Sequence, residues 1–288
     1  MRRPPGEREG RNVMRFLTSK ILWLTIYAIV ITGVFLYLLF PSALVLRQIE
    51  GAAGQAGFTL KAGSLHPSLP LGIKFQDLTV RLPDLPGDVF FQGEVLDLQV
   101  NPLTIFGKRK TLRFNGRSYN GSFDGSAGFS SFSPAKPPAE GKINFRNIDL
   151  ARYNPPGFPF LKGMTGLARG SAFYAENDPV SRYPLGKLAL YLSRGSFPLR
   201  EPFLGVSRID FDRGEIQAQL KNGVVMLEKL EIYGPQMNCF LNGSLTLADR
   251  PDDSRLDLKG VLEIAGKNKI KMNVTVGGTL ANPSVRYI

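Results

Sequence analysis

Residues 21–40 (ILWLTIYAIVITGVFLYLLF) form a run of twenty residues without a charged side chain. A helix rises about 1.5 Å per residue, so this run is about 30 Å long as a helix, close to the thickness of the hydrocarbon core of a bilayer. A helix also satisfies its own backbone hydrogen bonds, which the interior of a bilayer requires. The run therefore predicts a transmembrane anchor over residues 21–40.

The residues before the run are basic, and this sets the expected orientation. Residues 1–20 hold six Lys or Arg against two Glu, whereas residues 41–60 hold one residue of each sign. Because basic residues are retained on the cytoplasmic side, residues 1–20 are expected to form a cytoplasmic tail and the rest of the chain to cross the membrane. A cleaved signal peptide is the alternative, but small residues follow its shorter apolar core, whereas Leu44, Val45 and Leu46 follow here.

A short juxtamembrane helix is predicted between the anchor and the remaining chain, over residues 41–57. Leu46, Ile49 and Ala53 fall on one side of this helix, so it is expected to be amphipathic. Gly57 is placed to end it, because glycine accepts the left-handed conformation that follows a helix.

From residue 58 onward, apolar and polar residues alternate, which is typical of strands with one buried and one solvated face. Five segments show the alternation most clearly: 78–82, 96–100, 216–220, 256–258 and 270–276. Dipeptides that favour tight turns separate the runs: Asn115-Gly116, Asn120-Gly121, Asp124-Gly125, Asn222-Gly223, Asn242-Gly243 and Gly277-Gly278. The predicted fold class is mainly β, with one N-terminal transmembrane helix followed by a curved antiparallel β-meander.

A proline-rich stretch divides this β region. Residues 134–141 (PAKPPAEG) hold three prolines, which disfavour regular structure and predict a linker or loop. The β region is then split into a first half, residues 58–133, and a second half, residues 142–288. Both halves use the same elements, so a continuous sheet with an insertion is the alternative to two domains.

The residue inventory argues against an enzyme. His66 is the only histidine, which excludes a multi-histidine metal site and leaves little basis for a histidine-based triad, and its place just before Pro67 and Pro70 predicts a loop. Cys239 is the only cysteine and lies among apolar residues, which predicts a packed thiol rather than a reactive one. The glycine-rich residues 121–128 lack the Gly-Lys-Ser/Thr ending of a phosphate-binding loop and predict tight turns between short strands. No catalytic residue, metal site or cofactor is predicted.

The net charge of +12 also fails to indicate a nucleic-acid protein, because no basic block is longer than residues 108–110.

Two consequences of a two-faced sheet remain open. If the apolar face closes on itself, a sandwich or barrel-like sheet results and function lies in edges and loops. If the sheet stays open, the apolar face forms a groove for acyl chains or an apolar peptide, and its edge can accept a strand from a partner. The candidate groove residues are Leu96, Leu98, Val100, Ile270, Met272, Val274 and Val276.

Several segments together resemble a known family. They are Phe40-Pro41 after the anchor, LHPSLPLGIKFQDLTVRL (65–82), LQVNPLTIFGKRKTL (98–112), FNGRSYNGSFDGSAGF (114–129), the pattern Ile148-Asp149-Leu150 with Leu161-Lys162-Gly163-Met164-Thr165-Gly166, and the ending VGGTLANPSVRYI (276–288). With these segments the chain resembles protein N of the type II secretion system (GspN) of Gram-negative bacteria and, more distantly, the AsmA-like periplasmic proteins. The resemblance covers nearly the whole chain, and its motifs are structural rather than catalytic.

The resemblance implies a protein of the bacterial inner membrane with the bulk of the chain in the periplasm. It implies a component of the type II, or general, secretion pathway that acts in assembly through contacts with other secretion components. The alternative that it implies is an AsmA-like module that binds or transfers phospholipid in the cell envelope. It implies no cofactor and no catalytic residues.

Overall fold

The computed structural model describes residues 7–82, 89–104, 107, 109–130, 138–153, 162–176, 184–203, 206–264 and 270–287. Side chains are described in these ranges except at residues 7–19, 29, 36, 200–203, 206 and 251. The described part of the chain begins with two helices, α1 (Glu7–Leu38) and α2 (Ser42–Gln55). Most of the large apolar side chains described in α1 are exposed, with Trp23 at 70% and Leu24 at 71% of their full accessible area. Within the described residues, no helix combines the length and the apolarity that crossing a membrane requires.

The rest of the described chain is dominated by strands. Their bounds are β1 Thr59–Lys61, β2 Ser64–Ser68, β3 Gly72–Arg81, β4 Val89–Val100, β5 Lys110–Ser118, β6 Gly121–Phe129, β7 Glu140–Asp149, β8 Thr165–Ala175, β9 Leu185–Phe203, β10 Val206–Lys221, β11 Val224–Tyr233, β12 Met237–Thr246, β13 Arg255–Ile264, β14 Ile270–Gly278 and β15 Pro283–Tyr287. All fifteen belong to one antiparallel sheet, in which every strand from β3 to β14 pairs with the next one in the chain. β1 and β2 both pair with β3, and the sheet is open between its two ends. The prediction of a mainly β, antiparallel chain is therefore confirmed.

The proline-rich residues 134–141 connect two paired strands. Residues 134–137 lie outside the described residues, and β7 begins at Glu140. The ladder between β6 and β7 already includes Gly128 opposite Glu140, and the Ala139 amide donates to the Gly128 carbonyl. The hydrogen-bonded sheet thus runs without a break from the first predicted half into the second.

Cross-strand register sorts the side chains onto two faces. One row of directly paired residues crosses the sheet from β2 to β15: Leu65, Phe75, Leu96, Gly116, Phe123, Phe145, Gly170, Leu190, Ile216, Leu230, Leu241, Gly260, Val274 and Tyr287. Directly paired residues in a sheet point to the same side, so this row defines one side, which we call the apolar face. The other side, the polar face, carries residues such as Asp97, Asn115, Asp124 and Asn144, which also form one paired row.

Phenylalanine rings on the apolar face lie over glycines of the neighbouring strand. Directly paired residues include Phe114 with Gly125 and Phe145 with Gly170. A Cβ atom added at Gly125 would lie 2.5 Å from Phe114 Cζ, and one added at Gly170 would lie 2.9 Å from Phe145 Cζ. The glycines therefore provide the space in which the rings lie against the sheet, which buries aromatic area without a second layer.

The strict alternation is interrupted at four places where two residues of the apolar face are separated by two residues instead of one: Phe75 and Leu78, Phe145 and Ile148, Leu192 and Gly195, Leu227 and Leu230. The last three coincide with a register shift, as in a β-bulge, whereas the register between β3 and β4 is unchanged from Phe75 to Leu78. In three of the four places the residue before the second apolar-face position has a positive φ, namely Asp77 (52°), Asn147 (54°) and Arg194 (44°). An extra residue in one strand shifts the alternation by one position, so the apolar residues after the bulge again point to the apolar face.

Helix α2 packs over one end of the apolar face. Leu65, Phe75 and Leu78 are fully buried there, and Phe40, Leu46 and Ile49 pack against them. As predicted, Leu46 and Ile49 point to the same side of α2, and Ala53 is buried. A second buried cluster, Ala168, Leu192 and Phe211, draws its partners from β7 to β11 and adjoining loops. In the described part of the chain, α2 is therefore the one helix that covers this face.

Several segments that the sequence analysis predicts as turns or loops lie within strands. Asn115-Gly116, Asp124-Gly125 and Asn242-Gly243 lie inside β5, β6 and β12 instead of forming turns, and the glycine-rich residues 121–128 form one continuous strand. The neighbouring strands approach closely at these glycines, which is why glycine is required there. His66 lies in β2, opposite Lys74, and not in a loop, because the ladder with β3 extends through Pro67.

Two of the predicted turns are confirmed. Asn222 and Gly223 form a two-residue connection between β10 and β11 with φ values of 53° and 76°. At the β5–β6 connection the loop residues are Tyr119 and Asn120, with φ of 50° and 60°, and Gly121 begins the next strand. Positive φ at both central residues is the geometry that matches the twist of a hairpin.

Candidate apolar binding face

The predicted groove residues all lie on the apolar face, at its two ends. Leu96 and Val274 belong to the row that defines the face, and Leu98 and Val276 belong to the adjacent one. That second row is Pro67, Ile73, Leu98, Phe114, Gly125, Ile143, Ala172, Leu188, Ala218, Leu227, Gly243, Leu258, Val276 and Val285. Neither row contains a charged or hydrogen-bonding side chain except the Tyr287 hydroxyl at its end.

The remaining predicted residues join rows on either side of these two. Val100 pairs with Leu112, Met272 with Leu262, and Ile270 with Ile264. The two groups of predicted residues do not meet: nine strands separate β4 from β14 in the sheet, which is about 48 Å at a strand spacing of about 4.8 Å. The predicted residues therefore mark two ends of a long apolar surface and not two walls in contact.

Burial changes along this surface. Leu96 and Leu98 pack against the cluster beneath α2, whereas at the other end Ile270 is 54% exposed although Val274, four residues later, is 3% exposed. Val285 and Tyr287 of β15 are also exposed. The face is thus covered at the α2 end, whereas at the β15 end Ile270, Val285 and Tyr287 are accessible and Val274 is buried.

The centre of the face is formed by residues that the sequence analysis did not select. They are Leu190, Ile216, Leu230 and Leu241, consecutive members of the defining row on β9 to β12. Ile216 lies in one of the alternating segments that the sequence shows. Leu230 follows the bulge after Leu227, so strict alternation along β11 does not assign Leu227 and Leu230 to the same face. Only the register shows that these four residues are neighbours.

The polar face carries a network of charged groups over β10 and β11. Lys229 Nζ donates to Glu215 Oε2 at 2.7 Å and lies 3.3 Å from Glu231 Oε2. Tyr233 donates its hydroxyl to Glu231 at 2.9 Å, and Gln217 donates to Glu215 at 2.7 Å. The bonds from Lys229 and Gln217 hold the pKa of Glu215 below its ordinary value, and the bond to Glu215 raises the pKa of Lys229.

We expect the substitution Lys229→Gln to raise the pKa of Glu215 toward its ordinary value. The folded-state pKa is depressed, so this carboxylate stabilises the fold above its unfolded pKa and loses that contribution as pH falls through the folded value. Carboxyl-carbon NMR titration of ¹³C-glutamate-labelled protein measures the shift. Lys259→Gln, an exposed polar-face change on β13, is the control, and an unchanged Glu215 titration in Lys229→Gln would show that the ion pair is not formed in solution.

Cys239 lies on β12, paired with Ile232, and burial raises the pKa of its thiol to about 11. A thiol with such a pKa stays protonated near neutral pH and is a poor nucleophile. Among the described residues, no group of three or more His, Cys, Asp or Glu side chains is arranged to hold a metal ion.

Comparisons of this chain with models of known protein families, with curated proteins and with solved structures find no match.

Proposed function

We propose that this chain is a membrane-anchored protein of the bacterial cell envelope that holds the acyl chains of lipids on its apolar face. The observation that carries the proposal is the pair of apolar rows that crosses the sheet from β2 to β15 without a charged side chain. Large apolar surfaces on the outside of a protein are typical of binding sites for apolar partners.

The length of this surface is what makes lipid a suitable ligand. Each methylene group removed from water contributes about 0.8 kcal/mol. Association itself costs on the order of 4–15 kcal/mol, so a ligand must bury many methylene groups at once to bind. An acyl chain does so along a continuous row of apolar side chains, and polar side chains within the row would interrupt the contact.

The position of the helices supports a membrane origin for such a ligand. We propose that residues 21–40 form the anchor, with residues 1–20 in the cytoplasm and the sheet in the periplasm. Phe40, two residues after the end of α1, packs against the buried cluster of Leu65, Phe75 and Leu78. The apolar face begins where the proposed anchor ends, which supports the proposal that its ligand is drawn from the membrane.

A second function is supported by the sheet edge, and it corresponds to the secretion role that the family resemblance implies. β15 pairs with β14 on one side, and all five of its residues are exposed. An open edge of this kind accepts a strand from a partner, which would make the chain an assembly component of the type II secretion pathway. No cofactor, enzymatic activity or nucleic-acid partner belongs to either proposal.

Lipid binding is tested by purifying the full chain from membranes in mild detergent and measuring bound phospholipid by mass spectrometry. We expect phospholipid to co-purify, and the double substitution Leu230→Gln/Leu241→Gln to remove most of it, because polar groups then interrupt the row. Met226→Gln is the matched control, since Met226 is an exposed apolar residue of the same strand that pairs with Gln219 on the polar face.

Absence of phospholipid from the wild-type chain, or equal loss in the control, would contradict lipid binding. Recovery of other secretion components with the lipid-free chain would instead favour the assembly function.

A further inference from the structure

We propose that the polar face carries a binding site for an oxyanion, a phosphate group or a phosphate monoester, between Arg169 and Arg213. The site is an open depression of about 610 Å³ over β8 to β11, on the side of the sheet away from the apolar face. Besides the two arginines, its lining includes Asn147, Tyr191 and Ser193. The inference does not depend on lipid binding at the apolar face.

Register places the two arginines on either side of β9. Arg169 of β8 pairs with Tyr191, and Arg213 of β10 pairs with Ser193, two residues further along the same strand. Their backbones are two strand spacings apart across the sheet and two residues apart along it, about 12 Å in all, so a group seated over β9 lies between the two guanidinium groups. The bulge at Asn147 turns a third polar side chain toward the same depression.

Each guanidinium group is held by an aromatic ring. The Arg169 guanidinium carbon lies 5.5 Å from the centre of the Tyr191 ring, and that of Arg213 lies 4.1 Å from the centre of the Tyr233 ring. Stacking on a ring restricts the side chain but leaves the N–H groups at the edge of the guanidinium plane available. These N–H groups match the oxygen atoms of a phosphate in a bidentate arrangement.

The charges nearby leave these two arginines as the available cations. Lys229 is already paired with Glu215 and Glu231. In the described part of the chain, neither Arg169 nor Arg213 has a carboxylate within ion-pair distance. Glu215 of β10, which pairs with Tyr191, and Glu231 of β11 also line the depression. Lys229 offsets part of their charge, and the remainder disfavours a polyanion, so the site fits a single small oxyanion group.

Calorimetric titration of the full chain in uncharged detergent with inorganic phosphate tests the site, with sodium chloride of equal ionic strength as the blank. We expect saturable binding, weakened about tenfold or more by Arg169→Gln and by Arg213→Gln, because each removes a charged hydrogen-bonding pair. Arg213→Lys keeps the charge but not the paired N–H groups, and it should also weaken binding. Arg117→Gln, an exposed polar-face arginine on β5, should leave binding unchanged.

A second titration, with dihexanoyl phosphatidic acid, identifies the source of the phosphate group. Binding at least tenfold tighter than that of inorganic phosphate assigns the site to a lipid headgroup, and equal binding assigns it to a soluble phosphate. Hydrogen exchange over β8 to β10 verifies that the variants remain folded. The proposal is overturned if phosphate binds no better than chloride, or if folded Arg169→Gln and Arg213→Gln bind as tightly as the unaltered chain.

Discussion

We expect the substitution Phe75→Ala to lower the free energy of unfolding of the α2-covered end of the sheet by about 3–5 kcal/mol. Phe75 is 2% exposed and lies between Leu65 and Leu96 in the apolar row, beneath α2. Removing the ring loses the transfer free energy of its buried atoms. It also leaves a cavity that the paired strands cannot close.

The effect should be local. The elements with extensive contacts are neighbours in the sheet, except that α2 also contacts β1 and β2 and β2 lies near β4. Such a chain of pairwise contacts resembles a repeat protein, in which each unit depends on its neighbours. Hydrogen exchange resolved by mass spectrometry should therefore show faster exchange in α2 and β2 to β4 and unchanged exchange in β10 to β14.

Phe173→Ala is the matched control for this prediction. Phe173 is 41% exposed and pairs with Lys142 and Lys187 on the polar face, so its removal leaves little cavity. We expect a change near zero to about 1 kcal/mol, as for other exposed substitutions. Equal losses in the two variants would contradict the assignment of the faces, and a uniform loss of protection as far as β14 would contradict local stability.

The substitution Gly125→Ala should destabilise the sheet around β5 to β7 by about 1–3 kcal/mol, the usual effect of overpacking. The added Cβ would meet the Lys142 carbonyl oxygen and would lie 2.5 Å from Phe114 Cζ. The ring can rotate, but the carbonyl belongs to the ladder between β6 and β7 and cannot move without loss of a pairing. Hydrogen exchange of β5 to β7 measures the change.

Gly141→Ala is the matched control on the next strand. The nearest atom to an added Cβ there is Tyr174 Cδ1, at 4.0 Å, and Gly141 does not have a positive φ. A compatible glycine replaced by alanine stabilises by about 0.4–1 kcal/mol, because the unfolded chain loses freedom. The two variants should therefore differ in sign, and equal destabilisation would show that the close approach at Gly125 is not what requires glycine there.

The bulges show why the alternation of apolar and polar residues did not identify every residue of the apolar face. Within β11 the sequence Leu-Glu-Lys-Leu (227–230) places two apolar residues three apart, which strict alternation assigns to opposite sides. The bulge returns both to the apolar face, opposite Gly243 and Leu241. A signal was present in the repeated spacing of Phe75 with Leu78 and of Phe145 with Ile148, but it resembles the spacing of a helix.

The sequence alone determined that the chain forms an antiparallel sheet with one apolar and one polar side, because alternation is a local property of neighbouring residues. It also determined the helix that precedes the sheet and the turn at Asn222 and Gly223. Only the tertiary structure decided which residues share a row, because a row depends on the register of every strand, and one residue of shift exchanges the faces. Register also decides that glycines in dipeptides typical of turns lie beneath aromatic rings, and that Arg169 and Arg213 lie on either side of β9.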